Sequence, residues 1–477
     1  MPEETYDLIV IGGGSGGLVA ASGAARLGLR CALIEKARLG GECLWTGCVP
    51  SKALIHSAKV AHFVEQAASF GLEAAPERVG FGKVMDHVRE AIARVAPHDD
   101  PERFRQMGVE VVFGSPQFVS PEEVEVDGRR LRGRHFVIAT GSRPEVPRID
   151  GLTEVGPLTN ENAFDLAELP GSVVILGAGP IGVEFSQAYN RLGVKVTVLQ
   201  RSGRILSHED GEAAAALEEI LVAEGVEIIK NTSLRSVSRQ DGQKVVSFER
   251  EGQERQLVAD EVLVALGRHP NVEGLELERA GVKLDRRGII VDKHLRTSAP
   301  HIWACGDVIG HLAFTHVAEY QARLILRNAF FPFKSRYDYS AVPWTTFSDP
   351  ELAHLGATEE ELREKGVNYE ALRFPFSQVD RALTDSETAG FIKALCRPGG
   401  EILGAHILGP QAGNLIHEFA LAMREGIKIG RLSTAVHAYP TLAQAVRQTA
   451  DQHYARKLAG RSGAILSRLA RLWSRVS

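Results

Sequence analysis

Short, uninterrupted apolar runs closed by glycine set the pattern of the first two thirds of the chain. Asp7-Leu8-Ile9-Val10-Ile11 predicts a buried parallel strand. Gly12-Gly13-Gly14-Ser15-Gly16-Gly17 follows, then a helix from Leu18 to near Gly28, and a second strand over Arg30–Ile34 that ends on Glu35. The same succession returns with Ser172–Leu176, Gly177-Ala178-Gly179-Pro180-Ile181-Gly182, a helix through Tyr189, and the strand Lys195–Leu199 ending on Gln200. His135–Ala139 and Glu261–Ala265 read as strands that run into tight turns, and Ile302–Ala304 as a strand that reaches Gly306-Asp307. From about Tyr339 the pattern changes. Val342–Phe347 and Gly390–Leu395 predict strands, while 412–426 and 441–457 predict helices. The chain therefore reads as α/β, with two Rossmann-like dinucleotide-binding domains and a C-terminal α+β domain.

The repeated unit carries chemistry. Gly12, Gly14 and Gly17 form Gly-x-Gly-x-x-Gly between strand and helix, where backbone can approach a pyrophosphate, and Glu35 is placed for a ribose hydroxyl. Gly177, Gly179 and Gly182 repeat the triplet, and Gln200 follows Gly177 at the same spacing as Glu35 follows Gly12. Two such units imply two dinucleotides, most simply FAD and a nicotinamide; the alternative for the second copy is a purely structural Rossmann unit. Glu35 suits the unphosphorylated adenosine ribose of FAD. Gln200 lacks that charge and is followed by Arg201 and Arg204, which favours NADPH over NADH, whereas the third glycine, Gly182, speaks for NADH. Thr140, Gly141 and Gly267 lie in the two strand-end turns, and Asp307 is placed to accept a ribityl hydroxyl, the alternative being a turn-capping aspartate.

Between the two units stands Cys43-Leu44-Trp45-Thr46-Gly47-Cys48-Val49-Pro50-Ser51-Lys52. Both cysteines are expected at the mouth of one helix, with Pro50 in its first turn and a helix N-terminus that favours a thiolate. The pair reads as redox-active, as a structural bridge, or as two unrelated buried thiols. A zinc reading with His56 lacks a fourth ligand, so no metal site is expected. Five cysteines in 477 residues do not make a disulfide framework, and a net charge of −5 argues against nucleic acid. The acidic start Met1–Asp7 offers no targeting peptide and no apolar run approaches ~18 residues, so a cytoplasmic location is expected.

Fingerprint, cysteine motif, second fingerprint and Gly-Asp stand in the order of the FAD-dependent pyridine nucleotide–disulfide oxidoreductases, and the chain resembles that family over about residues 5–450, in a mercuric-reductase-like or dihydrolipoamide-dehydrogenase-like branch. The resemblance implies a homodimer whose C-terminal domain is the dimerisation domain. It divides the chain into FAD-binding segments 1–152 and 271–337, an NAD(P)-binding domain 153–270, a C-terminal domain 338–455 and a tail 456–477. It makes Cys48 the cysteine beside the flavin, which forms a charge-transfer complex with it, and Cys43 the interchange cysteine that meets substrate. Lys52 and Glu184 resemble an ion pair near flavin N5, and His316 aligns with residues near the flavin pyrimidine.

The resemblance departs at the family's C-terminal His–Glu proton relay. Here Tyr439 takes the histidine position and Gln444 the glutamate position, with His437 two residues upstream as a substitute. Pro180 also stands where related enzymes carry a gating tyrosine. The tail accumulates Arg456, Lys457, Arg461, Arg468, Arg471 and Arg475 opposite Ile465, Leu469, Leu472, Trp473 and Val476, a basic amphipathic pattern for a membrane surface or a protein partner. Three functions follow as expectations: an NAD(P)H-dependent disulfide or dithiol oxidoreductase, a metal-ion or quinone reductase with the same front end, and a non-enzymatic partner that retains the fold.

Overall fold

The computed structural model describes residues 5–73, 79–459 and 470–474. It divides into two compact units, Met1–Gly177 with Leu192–Val194 and Leu234–Asp338, and Ala178–Arg191 with Lys195–Ser233 and Tyr339–Ser477.

The first unit is built on β1 (Tyr6–Ile11), α1 (Ser15–Arg26), β2 (Cys31–Glu35), α2 (Gly41–Trp45), α3 (Cys48–Glu65), β3 (Val109–Phe113), β4 (Pro116–Ser120), β5 (Glu123–Val126) and β6 (Arg129–Ile138). Among the described residues these strands and Ile302–Ala304 form a seven-stranded sheet in the order β3-β2-β1-β6-β5-β4, with Ile302–Ala304 on β6. β6 is longer than its apolar run predicts. Its first residues pair antiparallel with β5 and its last pair parallel with β1, so one strand serves two kinds of pairing. Leu8, Ile9, Val10, Leu33, Ile34, Phe136 and Ile302 are completely buried, as expected for strands covered on both faces. Ser172–Leu176 and Glu261–Val264 also pair in parallel.

In the second unit, α4 (Pro180–Arg191) begins on the proline of the second glycine loop, which suits the first helical turn. Lys195–Leu199 pairs in parallel with Glu227–Ile229. The C-terminal part is an antiparallel sheet of β7 (Pro343–Thr346), β8 (Glu351–Gly356), β9 (Glu370–Pro375), β10 (Phe391–Cys396) and β11 (Ile402–Gly409), ordered β7-β8-β11-β10-β9. Helices α5 (Ala412–Arg424) and α6 (Gln444–Ala459) add Ile416, Phe419, Val446 and Ala450 to its core. A charged knot lies inside this unit. Lys393 of β10 donates to both carboxylate oxygens of Asp210 (3.0 and 3.1 Å) and pairs with Glu212 (3.0 Å) and Glu359 (2.6 Å). Lys393 and Asp210 are buried, so the pairing offsets a desolvation cost that neither charge could bear alone.

Most of the basic tail, residues 460–469 and 475–477, lies outside the described residues; Leu472 and Trp473 are exposed. Among the described residues no helix is long and apolar enough to cross a membrane.

Candidate active site

The glycine loop after β1 is made by close approach. A Cβ on Gly12 would stand 2.4 Å from the Ala139 carbonyl oxygen, and one on Gly17 only 1.8 Å from the Gly12 oxygen. Gly14 caps α1 without a side-chain hydrogen bond, leaving the first-turn N–H groups for a ligand. Gly41, at φ +57°, would place a Cβ 2.8 Å from the Gly14 Cα, so the start of α2 closes on this loop through two glycines. Glu35 accepts from the Gly13 N–H at 2.7 Å. This cradle of bare backbone fits the pyrophosphate of FAD.

The second loop repeats that arrangement. Gly177, at φ +100°, would bring a Cβ within 2.5 Å of the Ala265 oxygen. The Gln200 side chain accepts from Ala178 N–H at 3.0 Å, the same role Glu35 has in the first loop. Gln200 also donates to Ser202 Oγ (2.6 Å), so a neutral amide ends this strand. Arg201 is exposed, whereas Arg204 is held by Glu360 (3.1 Å) and the Ser207 carbonyl (2.7 Å). Both arginines reach solvent, Arg204 with 39% of its side chain exposed. Gly182 is buried within α4.

The strand-end turns meet each other. Ser142–Pro144 pairs antiparallel with Arg268–Pro270, Thr140 Oγ1 donates to Asn271 O (2.6 Å), and Glu145 N–H donates to Gly267 O (2.9 Å). Gly141 supplies a carbonyl to Asn271 N–H. Asp307 follows Gly306, which has φ +77°, and accepts from Ser142 Oγ at 2.6 Å. Arg268 lies 3.5 Å from Asp307 and also pairs with Glu42, the neighbour of Cys43. Asn160 donates to Glu42 (2.5 Å) and to the Thr46 carbonyl (3.1 Å). Burial raises the Glu42 carboxyl above its ordinary value, opposed by Arg268. Of this Glu42–Arg268–Asp307 charge chain, joined by Asn160 and Ser142, the sequence pointed only to Asp307; the other members lie far apart in sequence and carry no local pattern.

The cysteines do not share one helix. Cys43 is on α2 and Cys48 opens α3, with Thr46 and Gly47 between. A Cβ on Gly47 would lie 2.9 Å from the Glu42 oxygen and 3.2 Å from the Cys43 Cα, so glycine there lets the two turns fold together. The two sulfurs lie within hydrogen-bonding reach of each other, and Thr315 Oγ1 is 3.7 Å from the Cys48 sulfur. The Cys43 thiol is pushed far up, first by its hydrogen bond with Cys48 and then by burial. Cys48 is the exposed member of the pair and stands at the head of α3, where a helix N-terminus favours a thiolate. Lys52 lies on α3 and donates to Ser51 Oγ (3.3 Å). His56 is exposed further along the same helix, and His316 is exposed in the first turn of the helix Thr315–Phe330, stacked on Phe314.

In the second unit, buried Glu184 on α4 accepts from the Phe347 N–H at 2.9 Å. Tyr439 is 70% exposed and donates to Asp380 (3.0 Å), which raises its hydroxyl above the ordinary value. His437 is 3.0 Å from Glu418 on α5, with 8% of its side chain exposed. A histidine–carboxylate pair thus exists in this segment, at positions other than those of the family's relay.

A family model described as "Pyridine nucleotide-disulphide oxidoreductase" matches residues 6–322, and the corresponding dimerisation domain matches residues 342–450. The chain is 35% identical over 452 residues to a dihydrolipoyl dehydrogenase of Geobacillus stearothermophilus, covering 93% of this chain and 95% of that one. It is 36% identical over 455 residues to a mercuric reductase of Streptomyces lividans, covering 94% and 96%. Among solved structures, the Cu(II) complex of the HOCl-induced flavoprotein disulfide reductase RclA from Escherichia coli is similar, with a TM-score of 0.84, 29% identity, and coverage of 94% of this chain and 99% of that one. With glycine cradle, second glycine loop and cysteine pair in one chain, the protein belongs to the pyridine nucleotide–disulfide oxidoreductases, the flavoenzymes that pass electrons from a nicotinamide through FAD to a redox-active cysteine pair.

Proposed function

We propose that the protein is an NADPH-driven reductase whose Cys43–Cys48 pair delivers electrons to a disulfide-type acceptor. The observation that carries this reading is the contact of Cys43 with Cys48 at the head of α3, next to the glycine cradle. FAD bound in that cradle supplies the step that links hydride from a nicotinamide to reduction of a disulfide. In the reductive half, NADPH and one proton leave as NADP⁺ while the Cys43–Cys48 bond becomes two thiols. In the oxidative half, Cys43 gives its thiol proton to a neighbouring base as its sulfur attacks the acceptor disulfide, and that proton leaves on the departing acceptor sulfur as a thiol. Cys48 then attacks the Cys43 sulfur, re-forming the bond and releasing the second thiol. Lys52 and Glu184 keep the flavin-tuning part implied by the resemblance.

The departing sulfur needs a proton. Tyr439, held protonated by Asp380, is a poor relay near pH 7, whereas imidazole on a carboxylate suits it. We assign the relay to His437 on Glu418, offered by one subunit to the dithiol of the other. The preference for NADPH rests on neutral Gln200 and exposed Arg201. A cycling dithiol is chemistry of a reducing compartment, which supports a cytoplasmic setting. A second reading, reduction of a metal ion held by the two thiolates, draws on Tyr439 and Gln444 in the relay positions.

Anaerobic titration with NADPH tests the main reading. One equivalent should produce a long-wavelength thiolate–flavin band that Cys48→Ser abolishes, and steady-state NADPH oxidation should respond to disulfides more than to Hg²⁺. A flavin that NADPH fails to reduce would overturn both readings, and turnover with Hg²⁺ alone would select the second.

A further inference from the structure

The face of the C-terminal sheet under α6 carries three donors unrelated to the dithiol. Glu370 on β9 and Cys396 on β10 are directly opposed across the strand pair, so their side chains leave the same face. His453 on α6 lies above them, its Nδ1 3.2 Å from a Glu370 carboxylate oxygen. One carboxylate oxygen, the Cys396 sulfur and an imidazole nitrogen all fall within 4.8 Å of one another. Cys396 and His453 are buried, while the Glu370 side chain keeps 26% of its surface in solvent and leaves a way in. Two further observations separate this cluster from an ordinary ion pair over a buried thiol. The register of β10 against β11 shifts at Leu395/Cys396, an irregularity of the kind that re-aims a side chain. The Cys396 thiol makes no hydrogen bond among the described residues.

We infer that Cys396, His453 and Glu370 form a site for a borderline divalent transition-metal cation, Zn²⁺ in the first place. Thiolate, imidazole and carboxylate make a mixed donor set that suits Zn²⁺ and disfavours Mg²⁺ or Ca²⁺, and the solvent side leaves a fourth position for water. Without metal, burial first and then Glu370 push the Cys396 thiol up to about 11, so it is protonated at neutral pH. As the sulfur–metal bond forms, the thiol proton passes to solvent, and the His453 ring proton moves from Nδ1 to Nε2, so that Nδ1 leaves its hydrogen bond to Glu370 and offers its lone pair to the metal. The ion clips α6 to β9 and β10. Because its ligands lie outside the cysteine motif, binding is independent of the redox state of Cys43 and Cys48.

Co²⁺ titration of the FAD-loaded, oxidised full-length protein tests the site, with Zn²⁺ competition as the second step. One Co²⁺ per chain should bind with a thiolate charge-transfer band, Zn²⁺ should displace it, and the same stoichiometry should hold in Cys48→Ser. Cys396→Ser should remove the band, and His453→Gln should weaken binding at least about tenfold. Should either core variant fail to fold, Glu370→Gln at the solvent edge should weaken Zn²⁺ by about tenfold with flavin content and circular dichroism unchanged. Absence of binding, or binding that Cys48→Ser removes and these three variants leave intact, would overturn the inference.

Discussion

Single residues decide how close this backbone approaches itself and its ligands. Gly47 lets the turn after α2 fold against Glu42 and Cys43, which brings two cysteines on separate helices into contact. Glu35 and Gln200 close equivalent loops through one hydrogen bond each, to Gly13 and Ala178, yet one is an acid and the other an amide. That difference bears on the nicotinamide. A carboxylate in the place of Gln200 would repel a 2′-phosphate, and exposed Arg201, directly after Gln200, offers a cation to pair with one. Arg201→Ala should therefore raise KM for NADPH by about tenfold and leave KM for NADH within about twofold, measured as initial rates with each nucleotide. An equal loss with both would remove the 2′-phosphate role from Arg201.

At the scale of elements, the second unit is tied together by buried charge as well as by apolar packing. Lys393 on β10 reaches Asp210, the residue that caps the helix Gly211–Ala223. Beside it His354 stacks on Trp344 at 3.7 Å and bonds Glu209, while His406 on β11 packs edge-on against His354. His406 donates Nε2–H to the Ala357 carbonyl (3.1 Å), and its Nδ1 finds no partner among the described residues. Burial first, then His354, lower its pKa from 6.5 to about 4. The unfolded chain thus takes up this proton at higher pH than the folded one. The stabilisation from the neutral ring is complete above about pH 6.5 and is lost as pH falls toward 4, by up to about 3 kcal/mol. Thermal unfolding between pH 7 and 4 should show this slope, and His406→Gln should flatten it; an unchanged slope would place the proton uptake elsewhere.

At the scale of the whole molecule, the match to the dimerisation domain makes the working enzyme a homodimer. If His437 of one subunit serves the cysteines of the other, each dimer holds two sites of mixed parentage. Cys48→Ser and His437→Ala, each inactive as a homodimer, should regain about one quarter of wild-type disulfide-reductase activity when unfolded together and reassembled, because about half the dimers are then mixed and each holds one intact site. No recovery would return the proton relay to the subunit that carries the dithiol.

Fold class, both glycine loops and the redox pair were legible in the sequence because each is written locally: apolar runs of strand length, glycines where a Cβ has no room, and two cysteines with four residues between them, though not the turn that puts them on separate helices. The tertiary structure alone decided what joins distant segments. Arg268 reaches Glu42 beside Cys43, His437 finds Glu418, Arg204 is drawn to Glu360, and Glu370, Cys396 and His453 converge under α6. Periodicity and spacing report a residue's immediate neighbours; side-chain partners come from strand register and helix packing, which the chain settles only when it folds.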